Sequence, residues 1–382
     1  MSILAALQAK VDAVDSDTSM SEILKLMYTV KDHPYKSVYD SAGVMPLDSA
    51  SIGSIRYADN RNAMYMLVGI DSGWKLIDSD ASTTAPVVFT IQGSSFGYIA
   101  GNHPGYGNTI DKWSFTSDGN ASDVGDLNVG KRANSGGSSS THGYASGGDT
   151  PTLTNTTEKI SFASDGNAST TSMTLTVARR YANSESVGNG THMYVHGGAV
   201  PGESNVIEKA SLAAETAFTD VGDLTTPDYY VAGHSSSTHG YRSGGNPGVT
   251  GVVIDKYSFA SDGNATDVGD LDAGATGAVS GQSSTTHGYN VGGVDNSSGP
   301  QTISTKISKF PFASDTNATV SANQPFPAQL QSGSQSTTHG YSVGGAPNGN
   351  QIQKFPFASD DNSSDVGDLQ INRGSRNATA QV

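Results

Sequence analysis

Five histidines recur in one local setting. His142, His239, His287 and His339 each stand in a Thr-His-Gly-Tyr tetrapeptide, and His192 in its variant Thr-His-Met-Tyr. Imidazole ligates zinc and nickel, so a repeated histidine raises metal chemistry first. A metal needs its ligands about 2 Å from one point. Histidines at the same place in successive structural units spread around a wide ring, which favours a repeated hydrogen-bonding role between blades, with the flanking Ser and Thr. In the first, weaker copy Phe96 takes the histidine place, a change that packing tolerates and ligation does not.

A second set of candidates is acidic. The run at 261–270 offers Asp262, Asn264, Asp267 and Asp270 as oxygen donors, which makes them calcium candidates. A calcium loop of the familiar kind closes on glutamate, and this run has none. Turn chemistry alone accounts for Ser-Asp-Gly-Asn, because Asp and Asn tolerate left-handed backbone. Asn-x-Ser/Thr occurs, among other places, at Asn120, Asn167, Asn264, Asn317, Asn362 and Asn377, and the first five of these fall on the same turn of the repeat. No Gly-x-Ser-x-Gly, His-Glu-x-x-His, Walker or dinucleotide-binding pattern is present. No catalytic residue is expected, and no cofactor beyond calcium.

These residues are positioned by an internal repeat. The tetrapeptide tyrosines are Tyr98, Tyr144, Tyr194, Tyr241, Tyr289 and Tyr341, roughly 48 residues apart. Two glycines follow five of them, and Gly101 alone follows the first. A variable loop comes next, and then a block such as Asp-Lys-Tyr-Ser-Phe-Ala-Ser-Asp-Gly-Asn-Ala-Thr-Asp-Val-Gly-Asp-Leu at 255–271. Each unit reads as four short strands, one propeller blade. The repeat predicts six blades over 86–382. The last ten residues, 373–382, resemble the stretch before Thr-His-Met-Tyr, so they are predicted to pair into the Tyr98 blade and close the ring. The competing assignment gives that place to 87–91.

Composition agrees with thin sheets. Of 382 residues 46 are glycine, none is cysteine, and 15% are charged. The absence of cysteine excludes disulfides and thiolate chemistry. A net charge of −15 disfavours nucleic acid and anionic membranes as partners. No apolar run is long enough to span a membrane, and the first residues lack the marks of a secretory signal.

The period, the di-glycine and the aromatic on the next strand (Trp113, Tyr257, Phe310, Phe355) resemble the kelch family over about three quarters of the chain. The resemblance implies a mainly β fold, a six-bladed kelch-like β-propeller. The tryptophan usual later in a kelch unit is missing. Six-bladed sialidases use an arginine cluster, whereas the eight arginines here show no repeat by unit.

Residues 1–34 differ. Leu4, Leu7, Val11 and Val14, then Met20, Ile23, Met27 and Val30, follow helical spacing, with a capping box at Ser19 to Glu22. Helices this short need a partner, so this segment is expected to dock on a larger assembly or on other copies. Residues 35–85 read as a small β-meander. That meander resembles a short module in structural proteins of tailed bacteriophages. Its pairing with Thr-His-Gly-Tyr repeats is similar to virion proteins of phages of marine bacteria and cyanobacteria. The resemblance implies a non-enzymatic virion protein, of tail-fibre or adhesin type, that binds a host-surface glycan or protein and contacts other virion proteins through 1–34. Homo-oligomerisation, the absence of membrane insertion and unmodified asparagines follow from the same reading, with a capsid, neck or tail decoration protein as the structural alternative and a glycan-cleaving propeller as the enzymatic one. Variable loops at 149–157, 199–206, 246–253 and 294–302 gather on one side of the disc, where binding varies. His103, Tyr106, Tyr229 and Tyr230 are the candidate ligand-stacking residues.

Overall fold

The computed structural model describes residues 92–382 apart from 103–104, 184, 186, 247–250, 273–276, 296–299, 348, 375–377 and 382, together with three strands between 55 and 76. The helices expected within 1–34 and the alternative strand at 87–91 lie outside the described residues. Two compact units divide the chain, Met1–Val87 and Val88–Val382. Within the first, Ile55–Ala58, Ala63–Gly69 and Gly73–Leu76 form an antiparallel meander.

The second unit is mainly β, a six-bladed β-propeller without a helix among its described residues. Blade 2 shows the plan, from the axis outward: Ser135–Ser138, His142–Ser146, Thr156–Ser161 and Ser169–Thr174, all antiparallel. The second strand carries the His-x-Tyr motif and the third the acid-lysine pair. Blade 4 (Ala232–Ser235 to Thr266–Asp270), blade 5 (Ser280–Ser283 to Thr319–Asn323) and blade 6 (Ser332–Gln335 to Ser364–Asp368) follow it. Blade 3 has His192–His196, Ser204–Ser211 and Thr219–Asp228 as its sheet. Blade 1 takes Phe96–Asn102, Gly107–Ser114 and Ser122–Asp126 from the start of the repeat and its innermost strand, Ala378–Gln381, from the other end of the chain. Ala380 pairs with Tyr98 and Gln381 with Gly97. Blade 1 thus joins the two ends of the repeat array.

In four blades the glycine before the repeat tyrosine is dictated by its cross-strand partner. Gly97 faces Trp113, Gly240 faces Tyr257, Gly288 faces Phe310 and Gly340 faces Phe355. A Cβ on any of these glycines would lie 2.3–2.4 Å from the ring. Blade 3 inverts the arrangement: Met193 occupies the glycine place and faces Ala210, and both are buried. The volume is conserved while its source changes strand. The di-glycines turn the chain through two left-handed residues, for example Gly147 at φ 66° and Gly148 at φ 99°, a region that glycine enters without steric cost.

Apolar cores form where neighbouring blades face each other. Each repeat tyrosine is buried and meets an aromatic or leucine of the next blade. Tyr341 stacks on Phe115 at 4.7 Å, Tyr194 and Tyr241 meet Phe259 and Phe312 at 4.8 Å, and Tyr98 and Tyr289 meet Phe162 and Phe357 at 5.0 Å. Tyr144 packs with Leu212. Near the axis the first strands are small-residue segments such as Ser-Gly-Gly-Ser and Ser-Gly-Gln-Ser, wholly buried. Their backbones approach so closely that a Cβ on Gly333 would lie 1.8 Å from the Gly281 carbonyl. The Glu185 carboxylate, 1% exposed, accepts the N–H of Gly233 at 3.0 Å and of Gly281 at 2.8 Å, tying blades 3, 4 and 5 together at the centre.

Each outer strand remains an edge. In blades 1, 3, 4 and 6 that edge reads Ser/Thr-Asp-Val-Gly-Asp, so paired carboxylates face solvent. Charge on a short edge strand resists pairing with another chain.

Candidate functional site

Strand alternation gives the disc two chemically different faces. The turn between first and second strands and the turn between third and fourth strands share one face, here the turn face. The loops after the di-glycines and the links between blades share the other, the loop face.

On the turn face the repeated polar residues hold one another. Each motif histidine bonds through Nδ1 to the threonine before it, at 2.8–2.9 Å in all five copies. In four copies a serine Oγ three residues earlier accepts the histidine N–H; Asn189 does so for His192. These histidine bonds are local to each turn and not between blades as expected; the link between blades is made by the lysine beside it. Lys112, Lys159, Lys209, Lys256, Lys309 and Lys354 each reach an acid on the turn of the next blade: Asp165, Glu215, Asp262, Asp315, Asp360 and Asp118. The last pair returns from blade 6 to blade 1, so the ion pairs form a closed ring. Burial and the neighbouring lysine hold all five motif imidazoles below their ordinary pKa, against the pull of the acid. In blade 1 the Lys112 ammonium lies 4.0 Å from the centre of the Phe96 ring instead.

The four calcium candidates are not brought to one point. Asp262 pairs with Lys209 at 2.5 Å, Asn264 Oδ1 accepts the Asp223 N–H at 3.1 Å, and Asp267 accepts the Gly269 N–H at 3.1 Å. Asp270 turns its backbone to the next blade, accepting from Ala318 and donating to the Asn317 side chain. Asn120, Asn167 and Asn362 accept across blade boundaries in the same way, so the Asn-x-Ser/Thr pattern records an interblade bond. Among the described residues no group of three or more His, Asp or Glu gathers as a metal site.

Basic residues share one place in three of the six units, although the arginines do not recur in every unit. Lys131, Arg179 and Arg373 occupy one structural place: the backbone carbonyl of each accepts an N–H from the glycine turn of the preceding blade (Asn102, Gly148 and Gly345). Each pairs, buried, with the acid of the acid-lysine dipeptide: Glu158 at 2.9 Å, Glu208 at 3.1 Å and Asp111 at 3.0 Å. In blade 4 the place holds Asp228 and the cation comes from Arg242, 2.7 Å away. Changing residue type and link length hid this repeat from the sequence.

The loop face carries an uneven array. Tyr106, 41% exposed, has the Arg132 guanidinium 5.0 Å from its ring centre. Arg132 Nη2 and Arg180 Nη1 converge on one Asp149 carboxylate oxygen at 3.3 and 2.5 Å. The Arg180 guanidinium lies 5.2 Å from the Tyr181 ring. Tyr181 is 4.4 Å from Tyr230, which is 4.7 Å from Tyr229. Tyr181 and Tyr230 have left-handed backbones, φ 56° and 61°, and so do Ala133, Ala278 and Leu330 at the equivalent place in other blades. That conformation costs a non-glycine residue about 1–2 kcal/mol. Of the stacking candidates, Tyr106, Tyr229 and Tyr230 lie in this array, at opposite ends, and His103 lies outside the described residues. The sequence pointed to these loops, Asp149 among them, but passed over Arg132, Arg180 and Tyr181, whose only signal is an Arg-Arg-Tyr and a Lys-Arg-Ala in two links between blades.

Burial and the neighbouring Tyr181 push the Tyr230 phenol up to about 12. Tyr230 is thus a neutral hydroxyl at physiological pH, suited to stacking and hydrogen bonding. Comparison with known protein families and with curated proteins returned no match for this chain.

Proposed function

We propose that this chain is a non-enzymatic virion protein of a tailed bacteriophage, of tail-fibre or adhesin type, whose propeller offers its loop face to a host-surface glycan or protein. The observation that carries the reading is the contrast between faces. Every repeated group on the turn face is committed to a neighbour, and those bonds make the ring rigid. The loop face holds the half-buried and exposed tyrosines and the guanidiniums, and it breaks the sixfold pattern. Variable aromatic residues on a rigid frame are the physical form of a recognition surface.

The resemblance of the repeat to kelch units, and of the Gly73-Trp74 meander to phage structural modules, supports the setting. In it, 1–34 would dock on other virion proteins or on further copies of the chain. Catalysis finds little support: burial pushes the Tyr230 phenol away from ionisation, the reverse of what an activated nucleophile needs. The test is to locate the chain on purified particles by labelled imaging and to shorten the loops at 149–157 and 199–206. Expected are particles that assemble but adsorb to host cells at least tenfold less. Normal adsorption with many copies per particle would leave a decoration protein, and absence from virions would refute the reading.

A further inference from the structure

Two cations and one carboxylate meet where Arg132 and Arg180 flank Asp149. The Asp149 side chain is 5% exposed, so its charge is committed to this cluster. The cluster itself therefore carries one positive charge in excess, in a chain whose net charge is −15. The excess sits between aromatic rings, Tyr106 on one side and Tyr181, Tyr230 and Tyr229 on the other. Arg180 is 37% exposed at its side chain, within reach of a ligand, while its Nε is buried without a hydrogen-bond partner. The guanidinium fork matches carboxylates in a plane, and tyrosine faces accept the C–H surface of sugar rings.

We infer that the loop face between blades 1 and 4 binds an acidic polysaccharide, with Arg132 and Arg180 taking a sugar carboxylate and the tyrosines stacking on sugar rings to either side. This rests on the binding role proposed above and names its ligand class. A lone anion would need only the arginines, and a neutral glycan only the tyrosines. The arginine pair flanked by rings in one row, running from blade 1 to blade 4, fits a chain in which sugar rings lie to either side of a carboxylate. The surrounding acidic surface repels such a polymer at long range. Salt screens that repulsion within about 8 Å at physiological ionic strength, while contacts at a partly buried pair are screened less.

The test uses the full chain and three probes by titration calorimetry: oligogalacturonate, dextran oligosaccharides of equal length, and dextran sulfate. Expected is binding of oligogalacturonate that persists at about 0.15 M salt, with dextran binding at least tenfold more weakly. Arg180→Lys keeps the charge but loses the fork, and should weaken oligogalacturonate binding about tenfold, roughly 1.4 kcal/mol. Tyr106→Ala, at an exposed ring, should weaken it several-fold without lowering stability, and it keeps the test valid if the arginine variant fails to fold. Equal binding of dextran, or tight binding of dextran sulfate with none of oligogalacturonate, would overturn the carboxylate assignment while leaving the recognition role intact. Host adsorption that survives loop shortening, together with no glycan binding, would sink both.

Discussion

His196 shows what one side chain contributes. It is fully buried, bonded through Nδ1 to the Tyr257 hydroxyl at 3.0 Å, and burial lowers its pKa from 6.5 to about 3. Between those values the unfolded chain binds a proton that the folded chain refuses. Stability therefore rises with pH across the window and is lost as pH falls below 6.5 toward 3, by about 1.4 kcal/mol per unit. Urea titrations at pH 7 and pH 5 should show wild type losing on the order of 2 kcal/mol more than His196→Gln; equal losses would exclude His196 as the source. The five motif histidines, shifted the same way, add to the slope in both proteins. Met193 makes a packing prediction at the same scale. Met193→Gly beside Ala210 leaves a void and should cost about 2–5 kcal/mol, and adding Ala210→Tyr should recover a large part of it by restoring the arrangement of blade 4. A double variant no more stable than the single one would show that the swap is not compensatory. The aromatic opposite glycine was legible in the sequence as two separate regularities. That Met193 and Ala210 are one exchange became legible only with the strand register.

At the scale of the element, the third strands of blades 1 to 4 carry an acid-lysine dipeptide, and those of blades 5 and 6 keep the lysine after Ser308 and Gln353. Alternation sends the dipeptide's two side chains to opposite faces of the sheet. Glu208 turns back to the link from blade 2, accepting the Thr176 N–H at 2.8 Å and pairing with Arg179, while Lys209 turns forward to Asp262 of blade 4. One dipeptide thus fastens a blade to both neighbours. The two bonds differ in weight. Asp262 is half exposed, so Lys209→Ala should cost less than about 1 kcal/mol. Arg179 and Glu208 are buried, and Arg179→Met, which strands a carboxylate, should cost about 3–5 kcal/mol in chemical unfolding. Similar costs for the two variants would contradict this ranking. Strand positions and turns were readable because Gly, Asp and Asn mark backbone conformations that few other residues adopt. The basic partner was not, because Lys131, Arg179 and Arg373 share a place in space but neither a residue type nor a fixed distance from the tyrosine. The arginine-tyrosine array was hidden for a related reason: it departs from the repeat, and a repeat reading discounts whatever fails to recur.

For the whole molecule, the ring makes every blade an interior blade. Removing residues 378–382 takes the innermost strand from blade 1, with its pairing from Ala378 to Gln381 and the buried Ala380. The expected cost is roughly 4 kcal/mol from the lost backbone hydrogen bonds alone, and a less cooperative transition, because an open array unfolds from its ends. An unchanged urea midpoint for the truncated chain would contradict it. The same pairing sets a schedule for synthesis. A ribosome releases Tyr98 long before Ala380, so the first blade waits with an unsatisfied inner edge while five others take shape beside it. Until the final residues emerge, the nascent protein is a curved strip with an exposed seam, and a second chain delivering its own closing segment could fill the gap. Slow translation, or crowding on one messenger, should therefore raise the yield of strand-exchanged dimers, which high-resolution gel filtration of freshly made protein would reveal.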